Sequence, residues 1–484
     1  MSAPTQITDT TRTRAKPGVS RPADSPTRIV AVLAFAGIVV SLMQSLVIPL
    51  VPQLPLLLVA SATDTTWAIT ATLLAGAVAV PTVGRLGDMY GKRRMLLVSI
   101  VLLVAGSVVG ALATSLVPMI VARTLQGLAA GVIPLGISIM RDELPAERLG
   151  GATALMSASL GVGGALGLPV AALIADNADW HVLFWAAAIL GAVALALVLT
   201  LVPESTVRTG GRFDIVGAVG ISAGLIMLLL AVSKGADWGW TSPLTLGLGL
   251  GAVVVFVAWG AFELRTAGPL VDLRTLVRRQ VILTNVASLL FGFAMFAMSL
   301  VFPQVVQLPT ETGYGLGQSL LVVGLVMAPS GLVMMAVAPV SARISATAGP
   351  KWSLMLGALL VAAGYGIGII VLDEIWQLVV ISVVVGAGIG IAYGAMPSLV
   401  MGAVAASETA SANSLNTLMR SIGTSLSSAV AGVVLAQLTL DLGGVAVPSE
   451  DAFKLVMGVG AAAAAAALLV AAFLPRYRAS GLRG

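Results

Sequence analysis

GRLGDMYGKRRM, residues 84–95, is a charge-dense knot set between two long apolar segments. Only 10% of the 484 residues are charged, so a run holding Arg85, Asp88, Lys92, Arg93 and Arg94 stands apart. Gly84 and Gly91, seven positions apart, permit close packing and a sharp turn. A loop this basic, pinned between hydrophobic spans, is expected to face the cytoplasm under the positive-inside rule.

The flanks decide the class. The chain is 58% hydrophobic with a mean hydropathy of +1.04, whereas soluble domains run about 45–50% apolar and about 25% charged. It reads as an integral membrane protein whose solvent is mostly lipid. The net charge of +5 is explained by topology, so no nucleic-acid partner is expected. There is no cysteine, which excludes a disulfide framework or a thiolate metal site, and no metal or cofactor is expected. Arginine-over-lysine usage with abundant Ala, Gly and Val hints at a bacterial genome rich in G and C.

Outward from the knot, apolar segments recur near the roughly 20 residues a bilayer requires. They fall at about 29–51, 66–87, 95–113, 116–140, 152–175 and 181–202, then 214–233 and 243–262, then 281–308, 318–341, 352–372, 376–401, 410–436 and 453–474. Fourteen spans put both termini on one side. The expected organisation is a cytoplasmic, disordered tail over 1–28 and a six-helix bundle over 29–202. A linker with two extra spans follows over 203–280, then a second six-helix bundle over 281–474 and a short cytoplasmic tail over 475–484. With the termini inside, cytoplasmic segments hold 22 of the 26 Lys and Arg, and external loops hold Lys234 and Lys454. Arg123 and Arg420 lie within spans. The external loops are acidic instead, including Asp64, Asp179, Glu311, Asp373 and Asp441. That asymmetry is larger than orientation needs. The run through Pro339, Arg343, Gly349 and Lys351 reads as a decayed second copy of the 84–94 knot, as expected of a transporter built from repeated halves.

The knot itself matches the pattern G-x-L-x-D-[RK]-x-G-[RK]-[RK], with Gly84, Leu86, Asp88, Gly91, Lys92 and Arg93 in register and Met89 in place of a basic residue. Here the chain resembles the major facilitator superfamily, and along most of its length it is similar to that family's fourteen-span drug-efflux branch. VARTLQGLAAG resembles the R-x-x-Q-G motif through Arg123, Gln126 and Gly127. GGALGLPVAA is similar to the antiporter motif G-x-x-x-G-P-x-x-G-G. Gly163 and Gly167 match it, Pro169 comes one residue late, and Ala171 and Ala172 replace the final glycines. Residues 269–280 resemble the family's linker before span 9, and 415–432 resemble its span 13, including Arg420. The resemblance implies an all-α fold with two six-helix halves and two inserted helices.

Each candidate residue carries two readings. Asp88, Lys92 and Arg93 either orient a solvated loop or form a gate whose charges pair with the other half in one conformation only. Arg123 and Arg420 are costly at membrane depth, about 2.5–3.5 kcal/mol on insertion scales, and mark function by default, although Arg123 could snorkel outward. The small residues of span 5 serve either fixed helix packing or a mobile interface. Gln44, Asn285, Gln304, Tyr393, Asn413 and Asn416 are polar groups in apolar context. Singly they read as interhelical hydrogen bonds, and together as cavity lining with Phe291. His181 beside Trp180 reads as an interfacial anchor.

The function expected is secondary active export of an amphipathic small molecule such as an antibiotic, by alternating access, linked to protons, in a bacterial cytoplasmic membrane, by a functional monomer. Import or uniport of an organic anion stays open, because sequence sets architecture more firmly than direction. No G-x-x-x-x-G-K-[ST] occurs, which argues against a primary pump. A membrane enzyme needs convergent His, Asp or Glu at shared depth, and the acids lie outside the mid-membrane zone. With arginine the only deep charge, a neutral or anionic ligand is favoured.

Overall fold

A computed structural model describes residues 26–47, 50, 53–205, 207–266, 268–276, 278–443 and 445–475. The tails read over 1–28 and 475–484 lie outside the described residues except at their inner edges. Among the described residues, fourteen helices are long and apolar enough to cross a bilayer. They are α1 (Pro26–Ser45), α2 (Trp67–Tyr90), α3 (Lys92–Ala111), α4 (Leu116–Glu143), α5 (Ala146–Ile174), α6 (His181–Leu201), α7 (Ile215–Trp238) and α8 (Pro243–Glu263). They continue with α9 (Arg279–Gln307), α10 (Leu320–Thr347), α11 (Pro350–Ile370), α12 (Ile375–Met401), α13 (Ala406–Gln437) and α14 (Glu450–Ala472).

Local chemistry sets where they begin and end. Asp214, Ser242 and Ser449 each accept a backbone N–H of the first turn of α7, α8 and α14, satisfying donors a helix start leaves orphaned. A reciprocal capping box between Glu374 and Gln377 opens α12. Between α2 and α3 the only break is Gly91, at φ +120°, a conformation other residues rarely adopt. Gly349 turns α10 into α11 in the same way at φ +100°, the geometric counterpart of the repeat in the sequence. The acid has no counterpart: three residues before Gly349 stands Ala346, where Asp88 stands before Gly91.

Two residues depart from the sequence reading. Asp88 is not in a loop but in the last turn of α2, because the helix runs on to a glycine that alone can reverse it. Lys234, read as external loop, is buried within the last turns of α7. The fold is the all-α one expected, with one small addition: Thr439–Leu442 and Val445–Pro448 pair antiparallel as strands β1 and β2, with Leu440 opposite Val447.

Two large cores correspond to α1–α6 and α9–α14. They meet where α5 packs on α10 and α12, and where α2 packs on α13. The α5–α10 seam is backbone-close: a Cβ on Gly331 would stand 2.2 Å from the Gly161 carbonyl. The inserted pair does not float free. Ile221, Leu225 and Leu229 of α7 join Ala77 and Val80 of α2, Leu415 and Leu418 of α13, and the linker residues Leu270 and Val271 in a third core. At the other end of α7, Lys234 bonds Thr66 and Asp237 and lies 5.3 Å from the Trp67 ring. Only Thr245, Ala252 and Glu263 of α8 are buried.

Candidate functional site

At the end of the bundle that carries the basic connections, α2 and α13 are joined by one carboxylate. Asp88 is 0% exposed. Its Oδ1 accepts the Ala410 N–H at 3.1 Å, and its Oδ2 accepts both the N–H and the hydroxyl of Ser411 at 2.8 Å. Asp88 thus caps, from the opposite half, the first turn of a helix whose N-terminal donors attract negative charge. Close approach makes this possible. A Cβ on Gly84 would sit 2.2 Å from Ser414 Oγ and 2.9 Å from the Ala410 carbonyl, and one on Gly87 would strike Leu135. Leu86 is half-buried beside them. The backbone carbonyl of Asp88 also accepts Thr209 N–H at 2.8 Å, which brings in the segment leading to the inserted helices.

The basic half of the knot points elsewhere. Lys92, 0% exposed, pairs with Asp142 of α4 at 2.6 Å, and Asp142 also accepts the Ser205 hydroxyl at 2.5 Å. Arg93 donates to the Leu199 carbonyl at 2.6 Å. These bonds stay inside the N-terminal half. Arg141, which the sequence reading did not single out, crosses the seam. It donates to the carbonyls of Val404 and Ala405, just before α13, and to the Thr409 hydroxyl in its first turn. Its signal was available as the charge run Arg141–Asp142–Glu143 at the same end of the bundle. Asp88 and Arg141 together hold both sides of the α13 N-terminus.

Deeper in the N-terminal half, Arg123 is 2% exposed. Its guanidinium donates to the carbonyls of Ala68 and Met43, at 3.2 and 3.0 Å, and to Gln126 Oε1 at 2.7 Å. Gln126 passes the chain on to Ser107, and Gly127 brings α4 onto the Thr72 carbonyl of α2. The snorkelling reading of Arg123 is therefore wrong, since its charge is turned into the bundle and taken up by carbonyls. Arg420 differs. It lies over the Tyr393 ring at 4.7 Å, and Tyr393 meets Phe291 edge-on at 6.3 Å. Between α13 and α9, Asn416 donates to Asn285 Oδ1 at 3.1 Å and to Ser288 Oγ at 2.6 Å.

The remaining polar candidates are dispersed. Asn413 donates to the Thr409 carbonyl and Gln304 to the Leu300 carbonyl, each within its own helix, while Gln44 is exposed on α1. Gly163 and Gly167 face Ser41 and Ser45 of α1, and a Cβ on Gly324 of α10 would stand 2.8 Å from Pro169. The small-residue string thus packs α5 against helices of both halves. His181 stacks on Trp180 at 3.7 Å. Its N–H and its ring bond the exposed Asp179, holding that carboxyl below the usual carboxylate range.

The arrangement is a locked seam at one end and an arginine–aromatic cluster at mid-depth, which suits movement of a solute more than catalysis. Comparisons with known proteins agree. The model of the Major Facilitator Superfamily matches residues 33–428 and 287–482. Multidrug resistance protein 3 of Bacillus subtilis is 24% identical over 377 residues, 76% of this chain and 72% of that protein. The probable actinorhodin transporter of Streptomyces coelicolor is 27% identical over 80% of this chain and 68% of its own length. Against some longer relatives the chain spans only 60% or 55% of their length. The crystal structure of the human organic anion transporter MFSD10 (TETRAN) shares the fold, with a TM-score of 0.62 over 92% of this chain and 99% of that one, at 16% identity. A family match across both halves, on a scaffold whose two bundles meet at a latched seam, places this multi-pass membrane protein in the Major Facilitator Superfamily of transporters.

Proposed function

We propose that the chain exports amphipathic small molecules by alternating access, driven by protons, as a monomer with the basic end in the cytoplasm. The observation that carries this is the Asp88 latch. A carboxylate of one half caps a helix of the other, so the seam has one arrangement with that cap made and another with it broken. The latched arrangement closes the basic end. Relatives named for multidrug resistance and for actinorhodin transport support export of drug-like compounds over uptake. The positive-inside pattern supports the orientation.

The ligand proposed is neutral or anionic. With Arg123 turned into the bundle onto two carbonyls and Gln126, that preference rests on Arg420 and its aromatic neighbours. An arginine keeps its charge in proteins, so it repels a cation without a counter-charge and attracts a carboxylate or phenolate. Asp88 is the proposed proton carrier, because protonation removes the charge that holds the α13 N-terminus.

Inside-out vesicles with an imposed pH gradient test the whole reading. Wild-type protein should accumulate carboxylate or phenolate drugs only with the gradient present. Asp88→Asn removes the charge-assisted part of bonds worth about 1.5–3 kcal/mol each. Turnover should fall about tenfold or more, which corresponds to ~1.4 kcal/mol, while drug binding stays within a few-fold. Near-normal turnover by this variant, or gradient-independent accumulation, would sink the proposal.

A further inference from the structure

The inserted helices bring two carboxyl groups together beneath the latch, at a place no motif marks. Glu263, the last residue of α8, is 2% exposed. Its Oε1 accepts the Val271 N–H at 3.1 Å. Asp214, capping α7, accepts the Gly217 N–H on Oδ1 at 2.7 Å. The other oxygen of each, Oε2 of Glu263 and Oδ2 of Asp214, is buried without a donor. Both groups crowd Gly217. The point where its Cβ would stand is 2.5 Å from Asp214 Oδ2 and 3.0 Å from Glu263 Oε1, so the two carboxyls press on the same glycine.

We propose that Asp214 and Glu263 form a proton-binding site in which the pair shares one proton, and that this proton holds the linker against the α2–α13 latch. Two carboxylates sharing a buried site cannot both stay ionised. A single proton on one carboxyl makes it a donor to the other and removes the like-charge repulsion between them. A metal ion fits poorly, since Ca²⁺ takes 6–8 oxygens and no group of three acids or other ligating side chains exists among the described residues. The charged neighbours are Asp272 and Arg274 in the linker, which line the adjoining hollow with Glu263, and Arg85 of α2 and Glu408 of α13, which line a second hollow with Val271 and Ser411. Arg274 is committed to the Leu264 carbonyl at 3.0 Å.

The mechanical connection is short. Glu263 holds Val271 by its backbone, Leu270 and Val271 pack on Val80 and Leu415, and Ser411 is bonded to Asp88. Losing the proton places two like charges together and loosens the linker where it backs the latch. The proposal rests on the proton-linked reading above, and its test is separable from it.

Infrared spectra of the full chain in lipid, taken without drug near neutral pH, should show the carbonyl stretch of a protonated carboxylic acid. Asp88→Asn should keep that band. Glu263→Gln and Asp214→Asn should each abolish it, because the new amide donates to the remaining carboxylate. In transport, Glu263→Gln should displace the alkaline limb of the pH profile by about one pH unit or more, since its donor cannot be titrated away. A missing band, a band that survives both substitutions, or one that depends on sodium instead of protons overturns the site. If either variant fails to fold, the wild-type spectrum and the other variant decide. A band intact in a protein that exports nothing overturns the export reading alone.

Discussion

Arg123 and Arg420 enter the membrane zone with the same charge and meet different fates. Arg123 is consumed by Ala68, Met43 and Gln126, so Arg123→Gln should act on stability, at about 1–3 kcal/mol for each carbonyl left without its donor. Arg420 sits on Tyr393, a contact worth about 0.5–2 kcal/mol. Arg420→Gln should therefore barely move the melting temperature in detergent while weakening transport of anionic drugs several-fold. Melting curves and a drug panel on both variants check this, and equal effects on both readouts would refute the division. Sequence could pair Arg123 with Gln126, three positions on, but not with a carbonyl 80 residues earlier. The same blindness hid the partners of Asp88. Backbone N–H groups carry no residue signature, so nothing in the letters at 410 and 411 announces that they receive a carboxylate.

At the scale of the element, the α2–α13 seam is set by what is missing from Gly84. Of the atoms a Cβ would meet, the Ala410 carbonyl at 2.9 Å is backbone and cannot swing aside, unlike Ser414 Oγ. Gly84→Ala should pry the helices apart and slow turnover much as Asp88→Asn does, about tenfold. Adding Ser414→Gly should restore it only in part. Full transport by the single variant, measured in the same vesicles, would show that the seam does not need this closeness. Hydropathy located the fourteen spanning helices, because a bilayer demands length and apolarity together. It misplaced ends such as that of α2, because charged residues can continue a helix until a glycine reverses it. The β1–β2 hairpin escaped notice because four-residue strands leave too short an alternation to read.

For the whole molecule, topology is the sharpest test, since a chain without cysteine gives no background. Single cysteines at the exposed positions Thr209 and Arg265 should react only from the cytoplasmic side, and those at Glu311 and Asp373 only from outside. Reaction from the wrong side at any of them would invert or break the proposed orientation. The fourteen-helix plan was readable from composition and the charge partition. The docking of the inserted pair was not, because it depends on Lys234 meeting Trp67 and on Leu270 and Val271 folding back against α2 and α13. That docking leaves α8 bare on nearly every side. Its 21 residues span about 31 Å, close to a hydrocarbon core of about 30 Å, whereas α9 has 29 residues and reaches about 43 Å. Long inner helices can tilt within the bundle to absorb a change in membrane thickness. The uncovered α8 has no such shelter, so hydrophobic mismatch falls first on the helix that ends in Glu263, making lipid chain length a determinant of how this protein sits and works.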